Sequence, residues 1–134
     1  MLKIVVALVL LAHGVGHSMG LLQLFNVATV NPSWRGDSWL LTGPFGSGVT
    51  QAAGVLLWSA SIIGFGAVAA AVVGWLPISW FTPLAIASSV TSLLGIVLFP
   101  MAFPTTSTIG AVAVDVVLLA AATWFRWLPT EIGA

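Results

Sequence analysis

Apolar residues fall along the chain in four long blocks, separated by short breaks that carry proline, glycine or charge. A helix crossing the hydrocarbon core of a bilayer needs about 20 mostly apolar residues. Four stretches meet that length: Ile4–Asn26, Gly48–Val73, Trp80–Met101 and Ser107–Trp127. Gly74–Ser79, with Pro77 as breaker, joins the second to the third. Ala102–Thr106, with Pro100 and Pro104 near its ends, joins the third to the fourth. Connections this short imply antiparallel neighbours. The long connection is Val27–Ser47, which holds Arg35, Asp37, Pro32, Pro44 and several Ser and Gly residues. Such a composition reads as a turn-rich loop outside the hydrocarbon. The pattern predicts an all-α, antiparallel four-helix membrane bundle, a single domain over 1–134 with one long extramembrane loop after the first helix.

Composition sharpens this. Of 134 residues, 60% are hydrophobic and 4% charged, whereas soluble domains carry about 25% charged residues. Three basic and three acidic residues cannot clothe a water-facing surface, so the lipid bilayer is the expected partner. The same balance excludes intrinsic disorder. With no net charge and no basic patch, nucleic acid is excluded as a partner. The absence of cysteine removes disulfides, thiol redox chemistry and cysteine-held iron–sulfur clusters.

Lys3 followed by Ile4–Ala12 resembles the opening of a secretory signal peptide. The residues that follow, His13-Gly14-Val15-Gly16-His17, are not a small-residue cleavage site, so the segment is expected to stay as the first span. Four spans put both termini on one face with Lys3 and Arg126, and Arg35 on the other; the positive-inside rule then makes the termini cytoplasmic. Trp75, Trp80, Trp124 and Trp127 fall at span ends on the terminal side, as an interfacial belt would, and Trp34 and Trp39 are expected at the opposite interface. No internal repeat marks the chain as a transporter built from repeated halves.

Ionisable residues inside spans are costly and are candidates for function. Three occur: His13, His17 and Asp115. His13 and His17 are four apart and share a helix face. Gly16 and Gly20 lie on that face, and their spacing suits close helix packing. At ~1.5 Å per residue, His17 and Asp115 both fall roughly 13 Å below the outer edge. Ser59 on the second helix and Thr91 and Ser92 on the third fall near the same level. A buried polar layer pairing His17 with Asp115 is therefore expected, with His13 about a turn deeper. One reading makes this layer purely structural, in a non-catalytic accessory or anchor subunit. A second makes it a ligand site in a cofactor-binding or redox subunit, in which His13, His17 and Asp115 hold a metal, or a single histidine ligates haem. A third makes His17 and Asp115 a proton relay in a transporter. No cofactor is required by the sequence. His-x-x-x-His lacks the glutamate of a zinc peptidase, and no serine-nucleophile motif occurs. The Gly16/Gly20 face serves either the bundle or a homo-oligomer or larger membrane complex.

His13-Gly14 leading to His17 and Gly20 resembles the opening of DoxX-like small bacterial membrane proteins. Gly54-Val55-Leu56-Leu57-Trp58 running to Gly64-Phe65, and Ile109-Gly110-Ala111 before Asp115, look like the later helices of related families. The resemblance implies four helices in a bacterial inner membrane. It also implies a link to quinone-coupled oxidation or a place as a subunit of a larger oxidoreductase.

Overall fold

The computed structural model describes residues 1–132. Among them the fold is entirely helical. α1 (Leu2–Gly16) and α2 (Ser18–Leu24) follow each other almost without a break. α3 covers Thr42–Val73, α4 Phe81–Leu98 and α5 Thr105–Thr123, and short 3-10 turns lie at Ile78–Trp80 and Pro129–Ile132. Four segments are long and apolar enough to cross a membrane: Leu2–Leu24, Thr42–Val73, Ile78–Leu98 and Thr105–Thr123.

Most breakers act where the sequence puts them, but Pro44, expected in the loop, lies in the first turn of α3, where proline is tolerated because its missing N–H would have no helical partner. α3 ends at Gly74, whose left-handed conformation (φ 85°) closes the helix while the Trp75 N–H donates back to the Ala70 carbonyl at 2.8 Å. Gly46, at φ 78° and ψ 173°, interrupts the start of α3, so the uninterrupted helix begins next to the expected Gly48. α4 stops at Leu98, three residues before the expected Met101. Phe99 precedes Pro100, whose ring disfavours a helical Phe99 (φ −128°, ψ 60°). α5 leaves helical geometry at Thr123 instead of Trp127, through a turn in which the Trp127 N–H reaches the Ala121 carbonyl at 2.9 Å.

α3 is the central element. α1, α2 and α4 all pack on it, and α5 packs on α4; between α1 and α5 the backbones make few approaches. The interior divides into two apolar clusters. One gathers Ala7 and Leu10 of α1, Phe65 and Val68 of α3, Phe81 and Ala85, and Leu118 and Ala122 of α5. The other gathers Trp34, Trp58, Phe99 and Ala102. Outside these clusters the helices carry large apolar side chains in the open, among them Leu8, Leu56, Ile63, Val97 and Val117. An apolar surface this extensive suits lipid and not water.

The segment between α2 and α3 is tied down over the second cluster. Gln23 is its post: its amide donates to the carbonyls of Asn31 (2.6 Å) and Trp34 (2.9 Å) and accepts from the N–H groups of Val30 (2.9 Å) and Asn31 (2.7 Å). The same segment satisfies carbonyls at and beyond the C-terminus of α4 that have no helical partner. Trp39 Nε1 donates to Val97, Ser38 Oγ to Leu98, and Asn31 Nδ2 to Met101, each at 2.7 Å. Trp34, expected at the outer interface, is instead 3% exposed and packs on Trp58 and Phe99. The indole is a plug for the bundle end, and its N–H is satisfied by the Asp37 carbonyl at 2.8 Å. Gln23→Leu removes four hydrogen bonds at once. It is expected to speed amide exchange and proteolysis across 27–41 at a cost of about 1–3 kcal/mol, with the helical content unchanged.

Candidate functional site

The ionisable side chains meet between the two apolar clusters. α1 carries Leu10 in one cluster, then His13 and His17; α3 carries Trp58 and Phe65 on either side of the layer. The backbone tightens at the site. His17 separates α1 from α2, its N–H bonding to the Gly14 carbonyl and its carbonyl accepting from Gly20, both at 3.1 Å and both spanning three residues instead of four. Local 3-10 geometry inside a long helix often marks functional positions.

Four side chains form one connected network. His13 Nε2 lies 2.9 Å from Asp115 Oδ1. The Ser92 hydroxyl donates to Asp115 Oδ2 at 2.6 Å and lies 3.0 Å from His17 Nε2. Asp115 is fully buried, and Ser92 and His17 are almost so. The network therefore ties α1, α4 and α5 together in apolar surroundings, where an unpaired carboxylate would be costly. Phe65 closes one side, its ring edge-on to His13 at 4.4 Å and nearly parallel to His17 at 6.3 Å; Phe103 stands edge-on to His17 at 6.1 Å.

Proton positions follow from the donors available. Ser92 has a single hydroxyl proton and gives it to Asp115. Its contact with His17 then requires His17 Nε2 to be the donor, which in a neutral ring leaves Nδ1 as a bare acceptor. That Nδ1 is buried without a partner, as are Trp58 Nε1 and Ser89 Oγ.

Compared with the sequence reading, the partners are exchanged: His13 pairs directly with Asp115, and His17 reaches it through Ser92. Ser59 and Thr91 are half-buried and stand outside this network. Of the glycines, Gly20 faces the Trp58 ring at contact distance, whereas a Cβ on Gly16 would meet nothing within 4 Å. The close approach of α1 to α3 runs through Gly14, where an added Cβ would fall 2.8 Å from Phe65 Cβ. Its signal was its place two residues from Gly16 beside His13.

Among the described residues no group of three or more His, Cys, Asp or Glu side chains is placed to hold a metal ion. Both Asp115 oxygens and both histidine Nε2 atoms already have partners. Along the seam between α1/α2 and α5 lie two recesses. The one nearer the chain termini, 510 Å³, is walled by Val5, Val9, Leu10, Val114, Val117 and Trp127 among others. The one nearer the 27–41 segment, 260 Å³, is lined by His13, Gly16, His17, Met19, Phe103 and Ser107, with Ile96 and Ala111. A separate recess of 320 Å³ lies by the 27–36 segment, with Gln23, Asn26, Arg35 and Gln51 on its walls, away from the histidines. No family model matches the chain, and no curated protein or solved structure matches it either.

Proposed function

We propose that this chain is a non-catalytic membrane subunit, an accessory or anchor protein, in which the His13–Asp115–Ser92–His17 network is a clasp that fixes the bundle. In this reading the four spans run antiparallel in a bacterial inner membrane, with both termini cytoplasmic and the 27–41 segment at the outer face. DoxX-like proteins would then be its kin, and a larger membrane complex its setting. The observation that carries the proposal is the state of Asp115: fully buried, with one oxygen engaged by His13 and the other by Ser92. Each oxygen of this buried carboxylate is held by a side chain of its own bundle. It joins α5 to α1, two helices whose backbones otherwise make few approaches.

The clasp predicts unequal histidines. His13→Ala removes the direct partner of Asp115 and is expected to destabilise the bundle by about 1–2 kcal/mol in detergent or bicelles. His17→Ala leaves Ser92 still donating to Asp115 and is expected to cost less than half as much. Unfolding titrations with a denaturing detergent measure both. Equal stabilities for wild type and His13→Ala would remove the basis for a structural clasp.

A further inference from the structure

We infer that the polar recess between the end of α2 and the start of α3 binds a singly charged phosphate-type oxyanion, with Arg35 as its counter-ion. The site lies apart from the His13–Asp115 clasp and stands or falls independently of it.

The recess, 320 Å³, has Asn26, Thr29, Arg35 and Gln51 on its walls, with Gln23 and Leu24 beside them. Its mark is unused hydrogen-bonding capacity. Around it, Gln23, Asn31, Trp34, Ser38 and Trp39 all spend their side-chain donors on carbonyls of the fold. The side chains of Asn26, Thr29, Arg35 and Gln51 have no hydrogen-bond partner among the described residues, and all four line this one recess. Asp37 does not take the Arg35 guanidinium: its Oδ1 accepts from the Arg35 main-chain N–H at 3.3 Å, and the ion pair found among the described residues is His13–Asp115.

Charge then selects the occupant. Arg35 is the one charged residue of the lining, so a singly charged anion is balanced and a cationic head meets a like charge. The planar guanidinium matches two oxygens of a phosphate group. The amides of Asn26 and Gln51 and the Thr29 hydroxyl supply further donors. The recess is also held in shape before anything binds, which lowers the cost of ordering it. Gln23 fixes residues 30–34 through its four hydrogen bonds. Gly36 is left-handed (φ 85°) and lies so close to α2 that a Cβ would stand 3.3 Å from Leu24 Cδ2.

Position favours a lipid as the source. The first spanning segment ends at Leu24 and the second begins at Thr42, so the recess sits at the bundle end, where headgroups lie. Val27 on its wall and the adjacent Phe25 are exposed apolar side chains suited to acyl chains. A phospholipid phosphodiester and free phosphate share the oxyanion chemistry, and the test separates them.

Arg35 and Arg126 are the two arginines of the chain, so their side-chain Nε–H signals report the site and a control by NMR. The full chain in neutral detergent is titrated, at constant ionic strength, with phosphatidylglycerol, phosphatidylcholine of the same acyl chains, and inorganic phosphate. Phosphatidylglycerol is expected to shift Arg35 saturably, at about fivefold lower concentration than phosphatidylcholine, the effect of one basic residue at an anionic surface. Arg126 is expected to stay put. A response to phosphatidylglycerol with none to inorganic phosphate identifies the lipid source; saturation of Arg35 by inorganic phosphate identifies the free ion. Gln51→Leu removes one donor at an exposed position and is expected to weaken binding about three- to fivefold. Parallel movement of Arg35 and Arg126, a shift that never saturates, or an affinity unchanged in Gln51→Leu would reduce Arg35 to an ordinary surface charge and overturn the proposal. The clasp is judged separately, by the stability of His13→Ala.

Discussion

Asp115→Leu is expected to weaken the bundle by about 2–3 kcal/mol, more than any single histidine substitution. Polar contacts between membrane helices average only about 0.6 kcal/mol and reach about 1.7, because the unfolded chain in lipid also finds partners. Asp115 makes two such contacts, to His13 and to Ser92. Its loss also strands both partners in a buried apolar layer, and each stranded group adds its own desolvation cost. Leucine fills the space but offers neither an acceptor. At ~2 kcal/mol the folding equilibrium shifts roughly thirtyfold, which a denaturing-detergent titration resolves. Asp115→Asn is the companion. Its carbonyl oxygen can accept from Ser92, and its amide can donate to a His13 ring protonated on Nδ1. It is expected to lose less than half of what leucine loses if the contact is a neutral hydrogen bond. If Asn and Leu cost the same, the His13–Asp115 contact is held as an ion pair. A leucine variant as stable as wild type would sink the clasp altogether.

How these residues meet was only partly legible in the chain. Four apolar runs of spanning length have one common physical meaning, and Pro77, Pro100 and Pro104 mark the breaks; helix number and order followed from that. The face of each helix did not. A helix turned inward on one side announces it by an apolar stripe, but α3, α4 and α5 are apolar nearly all round. Thr91 and Ser92 are neighbours separated by about a quarter turn of helix. Nothing in the sequence decides which of them points at Asp115; packing of α4 between α3 and α5 does. The choice between His13 and His17 turned on a single helical turn, about 6 Å of depth. An error of a few residues in the span ends covers that difference. Trp34 was hidden for another reason: a loop has no periodicity, so burial of one of its residues leaves no trace in the pattern. What the i, i+4 spacing did carry was the shared face of the two histidines, whose rings lie 5.2 Å apart.

The glycines give the sharpest separation of two positions that look alike in sequence. Gly20→Ala is expected to destabilise the bundle by about 1–3 kcal/mol, whereas Gly16→Ala should stay within about 0.5 kcal/mol of wild type. An added Cβ at Gly20 would lie 2.8–2.9 Å from three atoms of the Trp58 ring, closer than van der Waals contact allows. The ring has nowhere to go. Trp58 is fully buried, with Trp34 at 5.5 Å, Phe99 at 5.2 Å and Phe103 at 5.9 Å between ring centres, and Gly95 under its edge. Displacing it would push the Trp34 plug outward and loosen the segment that covers the end of α4. The strain therefore belongs to the pair, and a smaller ring at position 58 should relieve it. In a double-mutant cycle, Gly20→Ala combined with Trp58→Phe is expected to be more stable than the sum of the single effects predicts, by about 1 kcal/mol. Strict additivity would mean that Gly20 acts through helix flexibility and not through close packing on Trp58. Since Gly16 has the same backbone freedom and no such neighbour, its alanine variant supplies the control for that alternative.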